Sequence, residues 1–375
     1  MFGRSHTILK QDAVLLQLSQ KLSPTSLPRR MRADGSYELL FVQESNDPNA
    51  CIFEKMVPGT EEGMAPAVRS QQRHCLFNPN PPHMLMDVVD GKVTLDDFLA
   101  QLSDEELIHL LGGQPNTTVA NTFGMGNLPE YGVPNIMTAD GPAGLRIHPE
   151  YGIRTTAFPC GTLLASTWNP EIVEKVGAAG GAEVKENNIA MWLTPAINIH
   201  RNPMCGRNFE YYSEDPLLAG IIGSAMVKGI QSNGVSACVK HFAVNNKETN
   251  RKHSDSRLSE RALREIYLKA FEIIVKTADP WAIMSSYNVI NGHRASECKD
   301  LLEDILRGEW GFQGVVTTDW WTRGEHYKEI LAGNDVKMAS GFPERVAKAM
   351  EMGALCRADL EHCAKRVLQM IMKLD

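Results

Sequence analysis

From about residue 190 onward the chain alternates between two kinds of segment, and this alternation restricts its possible folds more than any composition figure. Short apolar runs lie at 190–193, 235–242, 281–286 and 314–318. Helix-period segments separate or follow them at 217–231, 260–277, 299–310, 325–332, 344–352 and 358–373. Strand followed by helix, with connections this short, predicts a parallel sheet, because parallel neighbours need a crossover. The stretch from about 90 to 375 suits a (β/α)8 TIM-like barrel, with an open doubly wound sheet as the alternative. Two helix starts are legible upstream. Ser103 and Glu106 form a capping box ahead of the apolar run 107–111, and Asn169 followed by Pro170 pairs an N-cap with a proline at the first helical position.

Residues 1–90 have a different texture. They hold the stretch SPTSLPRR, one strand-like run at 37–42, and then a region rich in Pro, Asn and Gln through Pro82. The expected division is therefore a short β-type extension over 1–90 and a barrel domain over 91–375. Composition then removes several function classes. A net charge of −7 and no long basic tract argue against a nucleic-acid partner. No apolar run is long enough to span a membrane, and the first residues lack the apolar core of a signal peptide. Eight scattered cysteines without a C-x-x-C pair fit reduced thiols in a cytoplasmic protein. The histidines show no metal-ligand spacing, and neither G-x-G-x-x-G nor a phosphate loop is present, so neither metal nor cofactor is expected.

In a parallel barrel the strand C-termini share one rim, and the residues placed there are mostly polar. Asp140 follows the segment VPNIMTA, Arg201 and Arg207 follow the strand at Trp192, and Lys240 and His241 close the strand at Cys238. Tyr287 and Asn288 follow Met284-Ser-Ser, and Asp319 with Trp320 ends GVVTT. Carboxylates and cations hydrogen-bond vicinal hydroxyls, while an indole face stacks on the apolar face of a sugar ring. Each residue alone has a plainer role as a cap, salt bridge or packed aromatic, but five strand ends together point to a neutral polyhydroxylated ligand. Asp319 is the best nucleophile candidate, with the N-cap of a helix starting near Thr322 as its ordinary alternative. Lys240 and His241 are alternatively a structural pair. Trp321 and Phe209 are read as packing residues.

These segments resemble the barrel domain of family 3 glycoside hydrolases, in particular the β-glucosidase branch. The matching blocks are DGPAGLR (140–146), FPCGTLLASTWNP (158–170), NIHRNPMCGRNFEYYSEDP (198–216) and KHFAVNNKETNR (240–251). They continue with SERALREIYLKAFE (259–272), MSSYNVINGH (284–293), LLEDILRGEWGFQGVVTTDW (301–320) and AGNDVKM (332–338). The resemblance implies that Asp319 is the catalytic nucleophile. It also implies that Asp140, Arg201, Arg207, Lys240, His241 and Tyr287 bind the glycone, with Trp320 lining that subsite and Met284 and Glu210 near it. Thr318 stands where the family usually has serine. FAVNNKETNR replaces the glycine- and proline-rich loop with which the N-acetylglucosaminidase branch supplies its His-Asp acid/base; His253 and Asp255 lie outside that context.

The resemblance carries a further expectation. The family's β-glucosidases usually take their acid/base glutamate from a separate α/β sandwich domain, which is expected to lie upstream, outside these residues. Residues 28–90 look like the tail of a fibronectin-III-like domain, as in the members that place the barrel last. The expected activity is a retaining exo-β-glycosidase, an O-glycosyl hydrolase acting on a β-glucoside or oligosaccharide. Its partner is the missing sandwich domain, or another copy through self-association. Two rivals stand beside it: a barrel that binds sugars without efficient turnover, and a metal-dependent barrel hydrolase.

Overall fold

The computed structural model describes residues 81–374 and, before them, only the antiparallel pair of short strands Arg30–Met31 and Tyr37–Glu38. The expected strand at 37–42 is therefore described only at its first two residues. The rest of the proposed fibronectin-III-like remnant lies outside the described residues.

The main sheet has six strands in the spatial order Val315–Thr318, Ala282–Ser285, Ser236–Phe242, Met191–Trp192, Val133–Ala139 and Gly124–Leu128. All neighbours are parallel except the last pair. Two further segments close it into a ring. Val336 pairs in parallel with Thr317, and Lys337 pairs in parallel with Gly112. Gln114 then exchanges both backbone hydrogen bonds with Gly124, at 2.7 and 2.8 Å. The expected barrel is present, with one member reversed. That member is the Gly124–Leu128 strand, joined to Val133–Ala139 by the single turn Pro129–Tyr131 and Gly132 at φ 72°. So short a connection admits only an antiparallel hairpin.

Helices follow the strands close to the expected positions. Ser103 and Glu106 form the capping box of Asp104–Leu110, and Asn169 accepts from the Ile172 N–H at the head of Pro170–Glu186. The Pro216–Gln231 helix is buried over most of its length because it is wedged between Pro170–Glu186 and Lys269–Ala278. Two helices differ from expectation in winding. The one expected over 260–277 passes through a π turn at Leu263–Tyr267, where the Leu268 N–H donates to Leu263 O at 2.8 Å. Asp300–Glu309 is π-helical over its length. A five-residue hydrogen-bond step does not alter which side chains are apolar, so the sequence pattern carries no sign of it.

Around the closing segments lies a buried polar layer. His326 is buried, donates through Nε2 to Leu111 O at 3.1 Å, and accepts at Nδ1 from the Phe342 N–H at 3.1 Å. Those two roles require a neutral ring. Burial, reinforced by the Lys337 charge, holds its pKa down at about 4. Between that value and the ordinary one near 6.5 the unfolded chain binds the extra proton, so stability is complete above about pH 6.5 and falls as pH drops toward 4. The integrated loss is on the order of 3 kcal/mol. Thermal melting from pH 7 to pH 4 is expected to show this decline, and in His326→Gln the decline should be shallower from a lower starting point.

Candidate active site

Asp140, Lys240, His241, Tyr287 and Asp319 stand at or close to the C-terminal ends of barrel strands, while Arg207 and Glu210 come from the short turn Asn208–Glu210 and its N-cap, in the loop after Met191–Trp192. Asp140 ends Val133–Ala139; its N–H donates to Asn121 Oδ1 at 3.0 Å. The turn that follows requires glycine at 141, where φ is 120° and a Cβ would overlap Gly144 O. Fully buried Trp192 locks that turn by donating from Nε1 to Gly141 O at 3.1 Å.

Lys240 and His241 are consecutive, yet both reach the site. Successive strand residues ordinarily face opposite sides, but the pairing with Ala282–Ser285 slips between Lys240 and Phe242, and a bulge of this kind re-aims a side chain. Lys240 Nζ lies 2.6 Å from Asp140 Oδ1, and Arg146 Nη1 lies 3.2 Å from Asp140 Oδ2. Burial works against ionisation of Asp140, but the Lys240 charge and hydrogen bond outweigh it and hold the carboxyl at about 2.

His241 is buried, and its Nε2 accepts from Arg207 Nη2 at 2.9 Å while Nδ1 faces Asn198 Oδ1 at 3.4 Å. Burial, then the charges of Arg207, Lys240 and Arg251, push its pKa far below the usual imidazole value. The ring is neutral with its proton on Nδ1. Its 3.8 Å approach to Asp319 Oδ2 is therefore no ion pair. Buried Glu210 pairs with Arg207 through Nε and helps fix the guanidinium.

Asp319 closes Val315–Thr318, with its N–H donating to Ser285 O at 3.1 Å and its Oδ1 accepting from the Trp320 N–H at 2.7 Å. Burial raises its pKa, and Arg207, the Trp320 N–H, Lys240 and Arg251 pull against that rise. The alternative role as a helix cap is excluded, because the next helix, His326–Leu331, begins after Glu325. Tyr287 donates from its hydroxyl to Trp320 O at 2.7 Å, and burial together with the Asp319 charge keeps the phenol protonated. Met284 is buried in the adjoining strand, and Trp320 is half-buried against the barrel core. The hydroxyl of Thr318 accepts from the Met338 N–H at 2.9 Å.

Three sequence expectations change. Arg201 does not join this cluster: it is exposed and lines a cavity of about 200 Å³ with Val244, Lys247 and Arg257. The loop turns through Asn202–Gly206, where the Cys205 N–H bonds to Asn202 O, so the two arginines diverge. Phe209 and Trp321 are not packed inside but are 52% and 44% exposed. The residues missed are Arg146, Arg251 and Lys252. Arg251 sits 4.6 Å from the Tyr287 ring centroid, Lys252 Nζ 5.1 Å from it, and Arg251 is paired with Glu248 at 3.0 Å. Arg146 and Arg251 each end a family motif, DGPAGLR and KHFAVNNKETNR, and that position is the only signal of them in the sequence.

Residues 127–370 match the model of the glycosyl hydrolase family 3 N-terminal domain. The chain belongs to this family. Beta-glucosidase A of Butyrivibrio fibrisolvens is 59% identical over 361 residues, covering 94% of this chain and 44% of that protein. A beta-glucosidase of Ruminococcus albus is 39% identical and covers 97% of the chain and 39% of its own length. Among solved structures, beta-glucosidase 3B from Thermotoga neapolitana in complex with glucose aligns with a TM-score of 0.72 at 44% identity, over 75% of this chain and 42% of that one. A beta-glucosidase from Paenibacillus barengoltzii aligns with a TM-score of 0.76 at 36% identity, over 96% and 41%. This family 3 chain thus spans less than half the length of these relatives. No described helix is long and apolar enough to cross a membrane.

The Asp140–Lys240 pair gives a direct check on the site's electrostatics. In Lys240→Met the main opposition to burial disappears, so the Asp140 carboxyl should titrate well above about 2 when followed by carbon NMR. A titration unchanged from the native protein would show that Lys240 does not set it.

Proposed function

We propose that this chain is the barrel of a retaining exo-β-glycosidase that releases terminal non-reducing β-D-glucosyl units, with Asp319 as the nucleophile. The observation that carries this reading is a buried carboxylate at a strand end, its pKa raised by desolvation, with Arg207, Lys240 and Arg251 around it limiting that rise. An Asp319 oxygen attacks the anomeric carbon, the glycosidic C–O bond breaks with its electrons passing to the leaving oxygen, and a glycosyl ester forms. Water then attacks the same carbon and frees Asp319. Asp140, Arg207, Lys240, His241 and Tyr287 surround the glycone, and Trp320 covers it. Glu210 acts through Arg207, and Met284 lines the floor.

Retaining hydrolysis also needs a second carboxyl group as acid/base, about 5–5.5 Å from the first. The described carboxylates around the site are already engaged: Asp140 with Lys240, Glu210 with Arg207, Glu248 with Arg251. Asp140, held ionised at about 2, has no proton to give near neutrality. This supports an acid/base glutamate on a sandwich domain rather than among the described residues of the barrel. Met204, Trp168, Leu163 and Phe209 are exposed on neighbouring segments, which supports that domain, or a second copy of the chain, as the covering partner. Unbridged thiols at Cys160, Cys205, Cys238, Cys356 and Cys363 support a reducing, cytoplasmic setting.

A 2-deoxy-2-fluoro-β-glucoside with a dinitrophenolate leaving group tests the nucleophile, because that leaving group needs no acid. Intact-protein mass spectrometry should show a stable adduct mapping to Asp319 and none in Asp319→Ala. Absence of adduct in folded protein would favour a barrel that binds sugars without cleaving them. Missing acid help costs roughly 10²–10⁴-fold on a poor leaving group. Activated aryl glucosides should therefore turn over far faster than cellobiose, and equal rates would place a working acid within this chain.

A further inference from the structure

Trp321 takes no part in the chemistry proposed above, yet the fold holds it under strain. Its φ is 54°, in the left-handed region that bulky side chains rarely adopt. Such a backbone persists only where its surroundings over-determine it, and such positions cluster at functional sites. Here the surroundings are rigid. The Trp321 N–H donates to Met338 O at 3.0 Å, and its carbonyl accepts from Lys252 Nζ at 3.3 Å. The next residue, Thr322, is buried, donates to Glu329 Oε1 at 2.8 Å and accepts from Lys337 Nζ at 3.0 Å. Lys337 and Glu329 are themselves a fully buried ion pair at 2.5 Å.

All this anchoring presents an indole to solvent. The ring is 44% exposed and rests edge-on against Phe123, with centroids 6.2 Å apart and planes at 89°. Phe123 in turn is tied to the end of the Val133–Ala139 strand, where its carbonyl accepts from the Thr138 N–H at 3.2 Å. The aromatic pair therefore stands on the rim between Asp319, two residues before Trp321, and Asp140, two residues beyond Thr138. The Lys252 ammonium that holds the Trp321 carbonyl also lies over Tyr287, which places the three on one side of the mouth. An exposed aromatic face on a polar rim, next to a sugar pocket, matches the apolar face of a pyranose or an aryl ring.

We infer that Trp321, braced by Phe123, is the platform for the leaving-group side of the substrate and sets which aglycone the site accepts. The inference rests on the glycosidase reading above. It is tested with two substrates that need no acid, 2,4-dinitrophenyl β-glucoside, whose leaving group is a ring, and β-glucosyl fluoride, whose leaving group is not. In the full chain, Trp321→Ala should lower kcat/KM about five- to ten-fold on the aryl glucoside, the worth of one aromatic stacking contact. On the fluoride it should change by less than about two-fold, and Trp321→Phe should recover most of the aryl rate. Equal losses on both substrates would overturn the platform, since Trp321 would then only shape the Asp319 loop; no loss on either would overturn it as well. If the folded native chain fails to turn over the fluoride, the glycosidase reading itself fails, which is a distinguishable result.

Discussion

Closure of the sheet is the constraint on which the rest depends. The strands carrying Asp319 and Phe123 lie toward opposite ends of the six-strand order, and in an open sheet they would be far apart. Two backbone hydrogen bonds, Lys337 N–H to Leu111 O at 2.9 Å and Gly113 N–H to Lys337 O at 3.1 Å, draw those ends together. The Trp321–Phe123 contact spans that seam. Because all but one of the ring's members run parallel, their C-terminal residues meet on one rim, and Asp140 and Lys240 become partners across 100 residues of sequence. The reversed strand contributes its N-terminal end to the same rim, which is how Phe123 arrives there.

The electrostatics of that rim follow from burial. A carboxylate as enclosed as Asp319 pays a desolvation cost that raises its pKa, and only fixed cations and a backbone N–H oppose the rise. The cations are themselves held by other groups, Arg207 by Glu210 and His241, Lys240 by Asp140, Arg251 by Glu248. His241 can serve this arrangement only when neutral, because its Nε2 accepts from the Arg207 guanidinium and a protonated ring has no lone pair to offer. The polar residues thus form one coupled set in which each charge fixes the protonation of its neighbour.

Much of this was legible in the chain. Asn169 with Pro170 and Ser103 with Glu106 mark helix starts because a cap is a local interaction within four residues. The apolar runs at 235–242 and 314–318 became strands within a residue of expectation because hydrophobic pattern and strand length agree. Arg201 and Arg207 were indistinguishable as sequence, since a loop has no periodicity to say which way a side chain faces. Arg251 carries no such mark in the sequence, because its part depends on Tyr287, on a different strand's loop. The exposure of Trp321 contradicts what a tryptophan usually does, and the backbone angle responsible leaves no trace in composition.

The sequence by itself determined the class of fold, the order of its elements and the inventory of charged and aromatic groups at the strand ends. Those properties are set by short-range patterning and by which residue types occur where. Only the tertiary structure decided which charges pair, which histidine stays neutral, which arginine turns away, and which tryptophan faces solvent. Those outcomes depend on ring closure, on the slip in pairing at Lys240, and on the burial that closure imposes. Desolvation and charge pairing act between residues distant in the chain, so no local reading of the sequence contains them.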